Sequence, residues 1–270
     1  MKRIPLGATV LAAAALAVLF LPSDLTAQEA GNAPETKAPA PVKVAPAPPN
    51  NWEIEHQRQL KEDWPWLARF KDANAALQPP ANGEDRIVFM GDSITEGWKF
   101  EGPQGSFPGK PYINRGISGQ TAAQMVLRFR QDVIDLKPKV VLILAGTNDI
   151  AGNTGLETVE QIEGYLASMA ELAATNHIKV VLCSILPAYD YPWKPGMEPA
   201  PKILAINTWL KDYAAQHHHG YVDYHTAMKD SRDGLPPNLS YDGVHPLPAG
   251  YAVMAPLAEA GIAKALKGRD

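Results

Sequence analysis

The sequence predicts an α/β domain built as a three-layer α/β/α sandwich, with helices on both faces of a central, mostly parallel five-stranded sheet. From residue 86 onward, five short apolar runs alternate with segments of helical spacing. Most of these runs are nearly continuous in apolar residues, as strands are when both faces of a parallel sheet are covered. The expected strands are residues 86–90, 112–114, 139–145, 179–186 and 221–224.

The N-terminus has the layout of a secretory signal. Met1-Lys2-Arg3 is basic, residues 6–21 are apolar, and Leu25-Thr26-Ala27 is an acceptable cleavage site. We therefore expect residues 1–27 to be a signal peptide and the protein to be exported, periplasmic or secreted, with no stable membrane insertion after cleavage. Because the apolar stretch is close to the length that spans a bilayer, the alternative is an uncleaved N-terminal anchor.

Residues 28–50 are dominated by Ala, Pro, Lys and Glu, which bury too little apolar surface to fold, so we expect a disordered linker there. The folded domain then occupies residues 51–270. Its first part, 51–85, is expected to be a helical extension that packs on the domain, with helix over 52–78 and a new helix starting at Pro65. The alternative for its tryptophans is a sugar-stacking surface. The formal net charge of −4 offers no basic surface, so nucleic acid is not expected as a partner.

Helical spacing of apolar residues recurs between the predicted strands, over 125–136 and over 156–172. Both segments follow a capping-box pattern, Thr-x-x-Gln at 121–124 and Thr-x-x-Glu at 154–157, in which two side chains satisfy free backbone N–H groups. We therefore expect helices to begin at these two places. A final helix is expected over 248–266.

Polar residues follow the predicted strands at the points where the strands end. Ser93 follows the first strand, Gly119 the second, Asn148 the third, and Asp242 with His245 comes after the fifth. In open parallel sheets, ligands bind outside the carboxyl ends of the strands. The topology therefore predicts that these five residues meet at one edge of the sheet.

The chemistry of these residues suits acyl transfer. A serine hydroxyl is a weak nucleophile until a base accepts its proton, and histidine is the usual base. Asp242, three positions before His245, would hold the imidazole in the required tautomer. The backbone N–H groups of Ser93 and Gly119 and the side-chain amide of Asn148 would supply donors for a tetrahedral oxyanion. Neighbouring Asp92 and Asp149 are expected to bond turn backbone.

Four sequence blocks together resemble those of the SGNH hydrolases, also called the GDSL esterase/lipase family. They are Gly-Asp-Ser at 91–93, the segment around Gly119, Gly-Thr-Asn-Asp at 146–149 and Asp-Gly-Val-His at 242–245, in the family's order and spacing. The resemblance covers about residues 86–265 and implies the flavodoxin-like fold of that family. It also implies Ser93 as nucleophile, Gly119 and Asn148 as oxyanion donors, and His245 as base oriented by Asp242. Ile94 stands where the family name has Leu.

The substrate is less constrained by the sequence. A loop at 188–200 follows the fourth strand and carries Tyr191 and Trp193 among several prolines. Aromatic rings next to a nucleophile suit stacking on a sugar face or an aryl ring, so we expect both to bind substrate. The alternatives are that the loop forms a hydrophobic lip for an acyl chain or only packs onto the domain. Short-chain and carbohydrate O-acetyl esterases are common in the family, which favours a small acyl group, such as acetyl, on a glycan. A lysophospholipase or aryl esterase is the alternative within the family.

Two other functional classes compete with a serine esterase. A metal-dependent phosphoesterase would use Asp92, Asn148, Asp242 and His245 as ligands, but two-metal chemistry requires more carboxylates and histidines than these loops carry. A non-catalytic glycan-binding domain would have lost the serine or the histidine. The run at 217–219 is three consecutive histidines, which splay around a helix end before the stop signal at Gly220. We therefore expect neither a metal nor a cofactor. Cys183, in an apolar run, is expected to be a buried thiol.

Overall fold

Five parallel strands form the central sheet of the described residues, which confirms the predicted fold class. The strands are β1 (Ile87–Gly91), β2 (Tyr112–Gly116), β3 (Val140–Leu144), β4 (Lys179–Cys183) and β5 (Gly220–Val222). Their spatial order is β2-β1-β3-β4-β5, which is the flavodoxin-like order. The order reverses direction between β1 and β3, so the crevice beyond the ends of these two strands is the expected place for a ligand.

This computed structural model describes residues 51–102 and 105–268. The predicted signal peptide (1–27) and linker (28–50) lie outside these residues and stay predictions. Among the described helices, none has the length and apolar character needed to cross a bilayer.

Nine helices of the described chain connect or flank the strands. They are α1 (Asn51–Glu62), α2 (Lys71–Ala76), α3 (Ser93–Glu96), α4 (Ala122–Asp132), α5 (Thr147–Ile150), α6 (Val159–Thr175), α7 (Ala200–Gln216), α8 (Tyr224–Met228) and α9 (Pro248–Lys267). Alternate strand residues pack against α4, α6 and α7 on one face of the sheet. The other face packs against α8, α9 and the aromatic segment around Trp98 and Phe107. The final helix appears where it was predicted, and Cys183 is buried as expected.

Strand β4 is shorter than predicted because a side chain takes over the hydrogen bonds of the chain beyond Cys183. The Ile185 N–H donates to Asn207 Oδ1 (2.7 Å), and Asn207 Nδ2 donates back to the Ile185 carbonyl (3.0 Å). Asn207 lies in α7 and is almost fully buried. It therefore supplies a polar partner inside the core where the sheet no longer does.

Two helix boundaries differ from the prediction. Helix α4 has the expected capping box, but α6 begins four residues later than expected, where Thr158 and Gln161 exchange the capping hydrogen bonds (2.9 and 3.2 Å). The stop signal after α7 is His218, which takes the left-handed conformation (φ 58°), and Gly220 instead begins β5. The His219 N–H then reaches the carbonyl of Ala214 (2.8 Å), as in a Schellman motif.

Helix in the N-terminal extension is confined to α1 and α2, so the prediction of helix over 52–78 was wrong between these two elements. Pro65 lies in a turn, because the Asp63 carboxylate accepts from the N–H groups of Leu67 and Ala68 (2.8 and 2.9 Å) and Trp66 is left-handed (φ 54°). Three glutamine amides in or beside α4 then bind carbonyls of this turn. The pairs are Gln120 with Pro65 (2.8 Å), Gln124 with Trp64 (2.6 Å) and Gln131 with Leu67 (2.7 Å).

A fully buried arginine in α4 joins the end of β1 to the segment that follows β2. Arg128 donates to the Gly91 carbonyl (3.1 Å), to Gln120 Oε1 (2.6 Å) and to the Asp132 carboxylate (3.0 Å). Asp132 is equally buried and also accepts from Asn74 of α2 (2.7 Å). The guanidinium therefore has a partner for each of its three nitrogens, which offsets the cost of burying its charge.

Replacing this arginine should destabilise the fold strongly. In Arg128→Met the Asp132 carboxylate stays buried without its cation, so we expect the free energy of unfolding to fall by about 3–5 kcal/mol. Urea unfolding measures the change, with Arg130→Met on the exposed face of the same helix as control. The double variant Arg128→Met/Asp132→Leu should lose less than the single one. A single variant as stable as the wild type would contradict the assignment.

Candidate active site

A serine, a histidine and an aspartate form a continuous chain of hydrogen bonds at the carboxyl edge of the sheet. Ser93 is the first residue of α3, directly after β1, and its Oγ lies 2.9 Å from His245 Nε2. His245 Nδ1 lies 2.6 Å from Asp242 Oδ2. All three side chains are partly buried. The structure therefore brings together the three residues that the sequence suggested.

The turn that carries Asp242 and His245 is held by its own side chains. Asp242 Oδ1 accepts from the N–H groups of Val244 (3.0 Å) and His245 (2.8 Å), while Ser240 Oγ donates to the His245 carbonyl (2.8 Å). Gly243 has a positive φ of 85°, which a residue with a side chain adopts only with strain. The local sequence thus fixes the imidazole and the carboxylate on the same side of the turn.

The electrostatics of this pair favour one tautomer of the histidine. Burial of Asp242 favours its neutral form, but the hydrogen bonds from the backbone N–H and the ring of His245 outweigh burial and hold the pKa of Asp242 below its usual value. An ionised Asp242 accepts the proton on Nδ1. Nε2 is then left as the acceptor that faces the Ser93 hydroxyl.

Three donors converge next to Ser93. Gly119 has a positive φ of 78°, and neither its N–H nor that of Ser93 donates to another group of the described residues. Asn148 lies in α5, after β3, and one hydrogen of its amide is bound by the Gln120 carbonyl (3.0 Å). Ser93, Gly119 and Asn148 all line one cavity of about 440 Å³. The other amide hydrogen of Asn148 is available to a ligand in that cavity.

Two aspartates beside these residues bond the turn backbone. Asp92 Oδ1 accepts from the Ile94 N–H (2.9 Å), and burial raises the pKa of Asp92 to about 6. Asp149 Oδ1 accepts from the N–H of Ala122 (2.8 Å), the first residue of α4. The first bond closes the turn after β1, and the second connects the segment after β3 to the start of α4. Both agree with the structural role that the sequence suggested for these carboxyls.

The N-terminal extension forms part of the cavity wall, which sequence reasoning did not anticipate. His56, Gln57 and Leu60 of α1 line the cavity together with Trp193 and Lys194 of the loop at 188–200. The His56 ring lies close to Gly119: a Cβ added there would be 3.4 Å from its Cε1 atom. Burial lowers the pKa of His56. No local sequence signal reveals this contact, because it depends on the turn at 63–66.

The two aromatic residues predicted to bind substrate have different environments. Trp193 is 39% exposed, lines the cavity, and its ring centroid lies 6.0 Å from that of His245. Tyr191 is fully buried and stacks beneath Trp193 (centroids 5.0 Å apart), so its assignment to substrate binding was wrong. The Asp190 carboxylate accepts N–H groups from both sides of the loop, including those of Tyr191 and Gly196, and folds Tyr191 inward.

Tyr241 is a second aromatic residue at the site, and it was not predicted from the sequence. It is 67% exposed, and its ring stacks on His245 with centroids 5.7 Å apart and planes at 12°. Its position immediately before Asp242 was the available signal. Tyr241 and Trp193 thus both place an aromatic ring within about 6 Å of the imidazole.

The three consecutive histidines lie far from this site in the fold. His217, His218 and His219 surround the starts of β4 and β5, at the opposite edge of the sheet from Ser93. Across residues 51–102 and 105–268, no group of three or more His, Cys, Asp or Glu side chains is arranged to hold a metal ion.

The comparisons with known proteins agree on one protein family. Residues 89–253 match the sequence model of the GDSL-like Lipase/Acylhydrolase family. An acetylxylan esterase of Geobacillus stearothermophilus is 26% identical over 202 residues, which are 63% of this chain and 90% of that protein. The uncharacterised lipoprotein YqeF of Bacillus subtilis is 32% identical over 114 residues, 41% of this chain and 47% of that protein.

Solved structures from Bacteroides are similar in sequence and fold. A proposed acylhydrolase of Bacteroides fragilis is 46% identical, with a TM-score of 0.73, over 76% of this chain and all of that one. A GDSL-like lipase of Bacteroides thetaiotaomicron is 45% identical, with a TM-score of 0.72, over 75% of this chain and all of that one.

A pair of carboxyls lies behind the site. Glu157 and Asp149 lie close enough to interact, and burial raises the pKa of both carboxyls. The Asp149 Oδ2 and Glu157 Oε2 atoms are buried and have no hydrogen-bond donor among the described residues. Two carboxyls in this arrangement satisfy each other only when they share a proton.

We expect this pair to make stability depend on pH. Because both pKa values are raised in the folded state, the stabilisation is complete at low pH and is lost as the pH rises through those values. In Glu157→Gln the amide donates to Asp149 at any pH. As the pH rises from 5 to 8, the stability of the variant should therefore increase relative to that of the wild type. Thermal unfolding at the two pH values measures this change. Glu171→Gln, exposed on α6, is the control, and an unchanged difference between the two pH values would contradict the shared proton.

Proposed function

Because this chain belongs to the GDSL-like lipase/acylhydrolase family and is a carboxylic ester hydrolase, we propose that Ser93 is its nucleophile. His245 acts as the base, and Asp242 orients it. The observation that carries this assignment is the continuous chain of hydrogen bonds from Ser93 Oγ through the imidazole to Asp242 Oδ2.

The first half of the reaction forms an acyl-enzyme. Ser93 Oγ attacks the ester carbonyl while Nε2 of His245 takes the hydroxyl proton. The imidazolium that results is stabilised by Asp242, which stays ionised because its pKa is held low. His245 then gives the proton to the leaving alcohol, and the acyl group remains on Ser93. In the second half, His245 accepts a proton from water, which attacks the acyl-enzyme carbonyl. The imidazolium then returns that proton to Ser93 Oγ as the ester bond to Ser93 breaks, which releases the acid and restores the hydroxyl.

The oxyanion of each tetrahedral intermediate is bound by three donors. These are the backbone N–H groups of Ser93 and Gly119 and the amide of Asn148, none of which needs to reorganise at the moment of reaction. Preorganised donors stabilise the charge that develops on the carbonyl oxygen more than they stabilise the ground-state ester. This difference lowers the barrier to acyl transfer.

We propose that the substrate is a short-chain acyl ester, such as an O-acetyl group, on a carbohydrate. The relative from Geobacillus stearothermophilus is named an acetylxylan esterase, which favours this substrate class. The partly exposed rings of Trp193 and Tyr241 beside His245 support it, because exposed aromatic faces near the nucleophile can stack on sugar rings. We also propose that the protein is exported through the segment at 1–27, and a lipoprotein relative is compatible with this.

Removing the nucleophile tests the mechanism. Ser93→Ala should lose essentially all turnover of p-nitrophenyl acetate and all labelling by a fluorophosphonate, while its thermal unfolding stays close to that of the wild type.

The same wild-type and variant pair, given p-nitrophenyl esters from acetate to palmitate and acetylated glycans, tests the substrate class. Acetate release from a glycan supports the proposal. Activity that rises with chain length and is absent on glycans would reassign the protein as a lysophospholipase or aryl esterase. A fully active Ser93→Ala would refute the mechanism.

The contribution of the Trp193 ring is best measured between two variants. Trp193→Ala and Trp193→Phe both lose the indole N–H, but only the phenylalanine keeps an aromatic face. We expect KM for an acetylated glycan to be about fivefold higher in Trp193→Ala than in Trp193→Phe, an effect on the order of one aromatic contact. The two variants should be alike on p-nitrophenyl acetate. Equal KM values of the two variants on the glycan would show that the aromatic ring at position 193 does not contribute to substrate binding.

A further inference from the structure

We propose that Asn153 is a positioning residue that holds two of the oxyanion donors in place. This inference rests on the proposed function of Asn148 and Gly119. Asn153 lies in the loop between α5 and α6, outside the four sequence blocks, and it lines the same cavity as Ser93.

The side-chain amide of Asn153 donates to both donor-bearing residues. Its Nδ2 lies 2.9 Å from Asn148 Oδ1 and 3.3 Å from the Gly119 carbonyl. An amide nitrogen carries two hydrogens, so both contacts can be made at once. One side chain thus connects the segment after β2 to the segment after β3, at the two positions where each segment turns toward the nucleophile.

The contact with Asn148 determines which way its amide points. Asn148 Nδ2 donates one hydrogen to the Gln120 carbonyl (3.0 Å), and Asn148 Oδ1 accepts from Asn153. With both partners present, oxygen and nitrogen have only one consistent placement, and the second N–H is directed by the plane of the amide. Without Asn153, the oxygen loses its donor and the side chain is held at one end only.

Asn153 is itself held by its surroundings. Its backbone N–H donates to the Asn148 carbonyl (3.0 Å), and Trp193 Nε1 donates to its Oδ1 (3.2 Å). Next to it, Lys194 Nζ donates to the Gly152 carbonyl (2.8 Å). All three side-chain partners of Asn153, namely Gly119, Asn148 and Trp193, line the cavity. A purely structural asparagine would be expected to bond at least one group away from it.

The aromatic loop and the oxyanion donors therefore share one residue. Trp193 presents its ring to the cavity and its indole nitrogen to Asn153, which in turn contacts Asn148. If Trp193 is displaced, Asn153 Oδ1 loses its hydrogen-bond donor, and the Asn153 side chain that orients Asn148 is held less firmly.

The test compares Asn153→Ala, Asn148→Ala and the double variant on p-nitrophenyl acetate. If Asn153 acts through the donors, Asn153→Ala should lower kcat about tenfold, roughly one net hydrogen bond, and leave KM within about twofold. Asn153→Asp should be at least as slow, because a carboxylate still accepts from Trp193 but cannot donate to Asn148. Leu156→Ala, 88% exposed in the same loop, should match the wild type. Thermal unfolding checks that each variant is folded.

The double variant separates positioning from an independent effect. In the Asn148→Ala background, adding Asn153→Ala should cost much less than tenfold, because one of its two targets is already absent. A full tenfold loss in that background would overturn positioning through Asn148. An effect confined to KM, or an Asn153→Ala enzyme with wild-type kcat, would overturn the proposal for both donors. An Asn148→Ala enzyme with wild-type kcat would instead overturn the oxyanion assignment, and this inference with it.

Discussion

The arrangement of the site depends on a single buried positive charge. Arg128 binds the last carbonyl of β1 and the side chain of Gln120, while the Gln120 carbonyl binds the amide of Asn148. The segments that follow β1, β2 and β3 are therefore fixed to one another through two residues rather than through the sheet alone. A charge in this position is stable only because Asp132 balances it inside the core. The positions of these segments therefore depend on a buried guanidinium whose desolvation is unfavourable.

Polar groups inside the domain are concentrated behind the site rather than spread through the core. Asp92 and Asp149 are buried carboxyls that bond the backbone of the turns bearing Ser93 and preceding α4. Each is unfavourable to ionise where it lies, and each keeps a turn closed. Hydrophobic packing alone would leave these turns free to choose among several conformations. The hydrogen bonds select one, as expected for a site that must be preorganised before substrate arrives.

The parallel sheet, its helical layers and the meeting of Ser93 with His245 could be predicted from sequence, because strand and helix periods are local and parallel strands place their ends on one edge. The burial of Tyr191 could not, since it follows from the Asp190 carboxylate gathering N–H groups across a loop. The predicted start of α6 was wrong for a related reason. Thr154 and Thr158 are both suitable N-cap residues, but Glu157, which would complete the capping box of Thr154, interacts with Asp149. Tertiary polar contacts of this kind leave no periodic signal in the chain.

The part of the chain that performs the chemistry and the part that shapes its surroundings are separate. His56, Gln57 and Leu60 form one wall of the cavity, yet they precede the residues that match the family, which begin at 89. The turn that follows α1 is attached to Gln120 and Gln124 through its backbone carbonyls, which these amides bind whatever side chains α1 carries. Point substitutions at these three positions would therefore reshape this wall of the cavity without changing Ser93, Asp242 or His245.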